Sequence, residues 1–430
     1  MRVFLLLLLS LFFTPSLSAQ EDEPGSLELG EWTIRPIFAF QGWGTYTMGQ
    51  EEYNASSGNF DPVDNRLNFM LRRFRWGSTV KVGDRLFIKF LGALDFVGSD
   101  QRSGTVGGVN NGGFPVAQVW DLYARYRISK NSEALHVIGG YFRPPMSRES
   151  MSGALGVSSF EKGFNQWYIR QHLVGTGPGA TGGVYLGGLH SFSDGLHVDY
   201  RGGVFNPQNN SISAGVRAAP LLVSRLNFMF GDPEKKNWTY GLAGANTFGK
   251  RRGASVALVG STEGATGAAP NGISHVGVDG VVSLGQWHAE GEWHRMVRNA
   301  DGVRTNIDNE SVTYLFRTGY NFDVTPADSD QPRYLEPSLM VYGFNGATMQ
   351  GEYLTVVGTN FFGGEETVVD VGVNYHLVPG RIRLGLHYVS SSGNRGELPA
   401  DGRLSWHHMQ SGIGGIQRGD YVGMEVIFAY

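Results

Sequence analysis

One feature constrains this chain above all others: polar and apolar side chains alternate, residue by residue, in segment after segment. In RRFRWGSTVKV, the residues Arg73, Arg75, Gly77, Thr79 and Lys81 alternate with Phe74, Trp76, Val80 and Val82. VWDLYARYRI opposes Asp121, Tyr123, Arg125 and Arg127 to Trp120, Leu122, Ala124, Tyr126 and Ile128. RIRLGLHYV separates Arg381, Arg383 and His387 from Ile382, Leu384, Leu386 and Tyr388. Successive side chains of a strand point to opposite faces, so each stretch reads as a strand with one apolar and one polar face. The last eight residues, GMEVIFAY, continue the pattern: Met424, Val426, Phe428 and Tyr430 share one parity, against Gly423, Glu425, Ile427 and Ala429. Beyond residue 19 no apolar run reaches about 18 residues, so helical membrane spans are excluded. Strands remain possible, because a barrel crosses a bilayer with about 10 residues, only half of them apolar.

The connections also alternate. Short ones at 83–84, 193–195, 285–286 and 379–380 have the composition of hairpin turns. Between them lie long ones, near 49–65, 98–115, 144–179, 263–273, 297–309, 346–364 and 394–417. Short turns at one end and long loops at the other are the pattern of an outer-membrane barrel. Seven strands fit between Trp32 and Asn206, and nine fit backwards from Tyr430, the earliest being WTYGLAGANTF at 238–248. The expected fold is therefore an all-β, transmembrane antiparallel β-barrel of sixteen strands over 32–430. A further hairpin within 207–237 would make eighteen. A soluble sandwich would also alternate, but has no use for a terminal aromatic strand, and no fixed repeat supports a propeller.

Residues 1–19 combine Arg2, an apolar run from Val3 to Phe13, the Pro15 break and small residues up to Ala19. That is the layout of a secretory signal peptide, which would leave 20–31 as a periplasmic N-terminal segment. The chain has no cysteine, which excludes disulfides, thiolate metal sites and thiol catalysis. Its formal charge of −4 lacks the basic excess of a nucleic-acid-binding protein.

The stretch from Arg72 to Gly203 resembles the phosphate-selective (O/P-type) porins of Gram-negative outer membranes. The matching pieces are RRFRWGSTVKVGDRLFIKFLGALDF, VWDLYARYRI, HVIGGYFRPPMSRESM and SSFEKGF. In the third, Gly140, Phe142, Arg143, Pro144, Pro145 and Glu149 carry the family signature, with Met146 where an aromatic residue is usual. The resemblance implies an outer-membrane channel for small anionic solutes such as phosphate or polyphosphate. It also implies a homotrimer in outer-membrane lipid, inserted by the barrel-assembly machinery, and a third loop, 144–179, folded inward as the constriction. No enzyme activity, cofactor, metal or nucleic acid is called for.

Inward parity and the third loop together nominate the channel-lining cations: Arg73, Arg75, Lys81, Arg125, Arg127, Arg143, Arg148, Lys162 and Arg170. Arginine's fork matches phosphate oxygens in pairs, whereas lysine offers a point charge. The same wall carries Asp95, Asp121, Asp199, Asp370, Glu290, Glu292 and Glu425, so a neutral wall and a general or sugar porin is the alternative. His288, Glu290, Glu292 and His294 share one parity, a spacing that suits either a metal or a polar lining.

Overall fold

The protein's computed structural model describes residues 26–100, 102, 116–192, 195–207, 219–265, 272–301, 306–352, 356, 361–399, 403–410 and 414–430. The expected leader, 1–19, lies outside the described residues. Sixteen strands make up the barrel wall. In chain order they are β1 (Trp32–Met48), β2 (Arg66–Val82), β3 (Leu86–Val97), β4 (Gln118–Arg127), β5 (His136–Phe142), β6 (Thr181–Ser191), β7 (Leu196–Phe205) and β8 (Leu221–Gly231). They continue as β9 (Arg252–Glu263), β10 (Ile273–Leu284), β11 (Trp287–Asp301), β12 (Asn306–Tyr320), β13 (Tyr334–Asn345), β14 (Glu365–Val378), β15 (Ile382–Asn394) and β16 (Asp420–Ala429). Each pairs antiparallel with the next. β16 returns to β1 with Ala429 opposite Ala39 and Asp420 opposite Met48. The closure leaves no wall strand with an open edge.

The two faces differ as alternation requires. On β16, Met424 is 53% exposed on the outside and Glu425 5% exposed on the inside. On β9, Val256 and Leu258 face out while Ala257 and Val259 are buried. The outer band of exposed Leu, Val and Phe suits lipid rather than water. Trp32, Tyr126, Trp287 and Tyr320 are exposed at the short-turn ends of their strands, where an aromatic girdle belongs. Gly285, in the two-residue connection between β10 and β11, has φ 65°, a left-handed conformation that glycine adopts without a Cβ clash.

The count of sixteen matches the expectation, but one member differs. The segment 238–248 is not a strand; β8 is instead formed by Leu221–Gly231, inside the stretch whose topology was left open. Only β8 has the two-faced environment of a wall: Arg225, Asn227 and Met229 are buried, and Leu226 and Phe230 exposed. In 238–248 the large residues Trp238, Tyr240 and Leu242 are all buried, and the chain lies inside the barrel, entering from the short-turn end. Loop length also differs at one place, since β11 and β12 extend to Asp301 and from Asn306, leaving much less than 297–309. At the opposite end, short strands from the first and last long loops (Glu51–Asn54, Asn59–Pro62, His407–Gln410 and Gly414–Gln417) form a small separate sheet.

Two bulges change the inward set. The β1–β2 register moves from Gln41↔Arg73 to Gly42↔Leu71, which leaves Arg72 as the extra residue. The β3–β4 register moves from Leu91↔Asp121 to Gly92↔Val119, which leaves out Trp120. An extra residue rotates the strand locally, so consecutive side chains can share a face. Arg72 and Arg73 are accordingly both buried on the inner side, and Trp120 lines the lumen, against the outward parity expected of it.

Candidate functional site

The interior is organised by the third loop, residues 143–180 between β5 and β6. It carries two helices, α1 (Arg148–Met151) and α2 (Asn165–Leu173), almost wholly buried. Ser147 caps α1, its Oγ accepting from the Ser150 N–H at 3.1 Å and donating to Glu292 at 2.9 Å. A cap of this kind satisfies one of the otherwise open N–H groups of the first turn.

Most of the loop's polar contacts go to one side of the barrel, β10–β14. Glu292 also accepts from the Glu149 N–H at 3.0 Å and Asn165 Nδ2 at 2.5 Å. Arg317 donates to Glu149 at 2.6 Å and to Glu290 at 2.5 Å. Asp370 accepts from the Phe160 N–H at 2.8 Å, and Glu366 from the Tyr168 hydroxyl at 2.6 Å. Glu336 accepts from Ser158 Oγ at 2.5 Å and binds His288 and His376, each at 2.8 Å. Arg148 binds Asp279 at 3.2 Å. Buried polar groups must find partners, and here the inward acids of this wall find them in the loop. On β16, Gly423 lets the loop approach: a Cβ there would collide with the Phe160 ring, which stacks on Trp43 at 4.4 Å.

The space left open lies against β1–β4, as a cavity of about 860 Å³. Eight basic side chains face it: Arg72, Arg73, Arg75, Lys89, Arg143, Lys162, Arg170 and Arg403. Among the described residues two acidic ones do, Asp95 and Asp121. Asp95 binds Arg75 at 2.9 Å. Asp121 is shared between Lys89 at 3.2 Å and Arg143 at 3.1 Å. Arg72 and Arg73 both bind Glu161 of the loop, Arg72 at 2.7 Å. Trp120 lies beneath two guanidinium groups, those of Arg75 at 4.5 Å and Arg143 at 5.2 Å, a cation–π arrangement that favours the charged groups in place.

Lys162 and Arg170 stand apart. Lys162 Nζ donates to the Ser152 carbonyl at 2.8 Å; Arg170 donates to Ser150, from Nε to Oγ at 2.9 Å and from Nη2 to the carbonyl at 3.1 Å. Among the described residues neither has a carboxylate within ion-pair distance. Burial pushes the Lys162 ammonium down to about 7; Glu149 opposes this and Arg170, Arg143 and Arg73 add to it. Burial and Arg143 bring Arg170 down to about 9, still charged at neutral pH. Burial alone would raise Glu161, but Arg72 and Arg73 overcome it and hold the carboxyl at about 2. Burial is the larger cause for both Lys162 and Arg170, and the neighbouring guanidinium groups add to it.

Of the nine residues nominated from sequence, the cavity gathers Arg73, Arg75, Arg143, Lys162 and Arg170. Arg148 lies behind the loop, paired with Glu234 and Asp279. Arg125 donates to the Trp238 carbonyl and lies over the Phe87 ring at 4.9 Å. Lys81 is exposed near the short-turn end of β2, and Arg127 pairs with Asp84 and Glu133 at 2.8 and 3.0 Å, also at that rim. Parity predicts a face but not a depth. Sequence reasoning missed Arg72, which only the bulge turns inward, and Arg403, which comes from the last long loop. Lys89 was legible, since it shares parity with inward Asp95. Of His288, Glu290, Glu292 and His294, His294 and Glu292 come together, Nε2 to Oε2 at 3.5 Å, but the four do not converge on one point: His294 Nδ1 faces His275 Nε2 at 2.9 Å, His288 binds Glu336 and Glu290 binds Arg317.

No family model matches the chain, and no curated protein matches it. Solved structures do. The chain is similar to the outer-membrane channel DcaP of Acinetobacter baumannii, with TM-score 0.53 and 11% identity over 96% of this chain and 100% of that one. It is similar to OmpF of Salmonella typhi, solved with daunomycin, with TM-score 0.54 and 12% identity over 94% and 100%. A third likeness is to the anion-selective porin of Comamonas acidovorans, with TM-score 0.51 and 11% identity over 93% and 100%. At such identities the likeness is one of fold, and the fold is that of outer-membrane porins and channels.

Proposed function

We propose that the protein is an outer-membrane porin through which small hydrophilic anions diffuse passively, phosphate and polyphosphate among them. The observation that carries this reading is the charge imbalance of the open cavity: among the described residues eight basic side chains line it against two acidic ones, with Glu161 pairing Arg72 and Arg73 from the loop. The inward acids that could have neutralised the wall are committed elsewhere, chiefly to anchoring the third loop on β10–β14. In a narrow passage of low dielectric, a net surplus of positive charge concentrates anions and repels cations. Arg73, Arg75, Arg143, Lys162 and Arg170 are the residues assigned to this work, with Arg72 and Lys89 added by the structure. The mechanism requires no catalysis: an anion exchanges part of its hydration shell for guanidinium and ammonium contacts weak enough to release it.

The same reading includes export by the leader at 1–19, insertion by the barrel-assembly machinery and a homotrimer in the outer membrane. It draws on the resemblance of Arg72–Gly203 to the phosphate-selective porins and on the porin fold. The test is a planar bilayer with the refolded protein in a chloride gradient, followed by titration with phosphate. An anion-directed reversal potential, with current reduced by low phosphate, supports the proposal. A cation-directed or zero potential refutes anion selectivity and leaves a general or sugar porin.

A further inference from the structure

β8 and β9 need no long connection. Their pairing runs to Gly231↔Gly253, where a two-residue turn would suffice, yet residues 232–251 intervene. This segment rises into the lumen from the short-turn end and meets the third loop, which enters from the other. Tyr240 grips the root of the loop: its hydroxyl accepts from the Arg143 N–H at 3.1 Å and donates to the Arg143 carbonyl at 2.9 Å. Glu234 grips α1, accepting from Arg148 Nη2 at 2.7 Å and Nη1 at 3.0 Å. Trp238 anchors the segment to the wall, stacked on His136 at 4.6 Å with its Nε1 donating to Asp199 at 3.2 Å. Tyr240 also lines the basic cavity.

We propose that 232–251 is a second constriction element, and that Tyr240 and Glu234 are positioning residues that set where the third loop holds its cations in the anion path. Three features argue for this beyond simple filling. The contacts are directional, two hydrogen bonds to one backbone unit and a two-pronged ion pair, rather than apolar packing alone. They fall on Arg143 and Arg148, at the loop's entry, where a small rotation is carried along to Lys162 and Arg170. The segment also has its own wall anchors, so it can bear on the loop rather than ride with it. The channel's selectivity is thus set jointly from both ends of the barrel.

The proposal rests on the pore reading, and bilayer recordings on the full chain separate the two. Tyr240→Phe removes both bonds to Arg143 and keeps the ring. The expected result is a loss of about twofold or more in anion-over-cation preference with the barrel intact. Replacing 234–249 by Asn-Gly should raise single-channel conductance about twofold or more. If the shortened chain fails to fold, Tyr240→Phe still decides. An anion-selective parent whose preference is unchanged in Tyr240→Phe overturns the proposal alone. A parent that passes no current, or shows no anion preference, overturns the pore reading and the proposal together.

Discussion

Lys162 makes the sharpest test of the channel's electrostatics, because its charge is set to change within the working pH range. It is 5% exposed, faces the cavity and titrates near 7. The sign follows directly: below that value the side chain is an ammonium and attracts anions, and above it the amine is neutral. At pH 6 about nine-tenths of the channels carry the charge, and at pH 8.5 only about one in thirty. Take an ion path ~6 Å from Nζ and an effective dielectric of ~40, between protein and water. The interaction is then about 1.4 kcal/mol, and screening in ~0.1 M salt reduces it to about 0.8 kcal/mol. That is about fourfold for an anion and the inverse for a cation, so about fifteenfold in their ratio. Chloride is the ion to use, because phosphate changes its own charge near neutrality. Reversal potentials in a chloride gradient should show a stronger anion preference at pH 6 than at pH 8.5. Lys162→Met should show the weaker preference at both. A parent channel with no change between these pH values, or a Lys162→Met variant that keeps the change, would refute the reasoning.

Three other perturbations probe the scaffold. Glu161→Gln leaves Arg72 and Arg73 without their shared carboxylate; removing one partner of a buried ion pair costs about 3–5 kcal/mol, so thermal unfolding should fall and conductance become noisier as the loop loosens. Gly423→Val should push Phe160 off the wall and give larger, less selective single-channel steps, whereas Ala429→Val at the strand end should not. Leu258→Arg puts a charge on the lipid face of β9 and should destabilise the barrel by about 2–4 kcal/mol, read as a lower urea midpoint in folding into lipid vesicles. A substitution at Leu258 that costs nothing would place that face away from lipid.

Local chemistry made the barrel wall legible. A strand's two faces are written in period two, so Glu425 inward and Met424 outward could be read from the last eight residues alone. The short turns were equally local, and together they led to sixteen strands. Where the local signal was duplicated, it misled: 238–248 alternates large and small residues as a strand does, but its large side chains pack among other aromatics inside the lumen, with Tyr240 5.2 Å from Tyr123. The bulges at Arg72 and Trp120 were hidden for a related reason, since an extra residue in one strand is visible only against its partner.

What the sequence determined by itself was therefore most of the wall, β8 excepted: strand after strand with one face for lipid and one for the interior, and, away from the bulges at Arg72 and Trp120, the sign and type of the charges on the inner face. Which of those charges remain open to a passing ion was decided by tertiary structure alone. Arg317 meets Glu149 across 168 residues, and Phe160 meets Asp370 across 210. Parity ranks all inward residues alike, but only the path of the third loop determines that the acids of β10–β14 are committed to anchoring it while Arg72, Arg73 and Arg75 of β2 and Lys89 of β3 face open space. The proposed charge selectivity depends on that excess of charge, which exists only once the loop is folded in place.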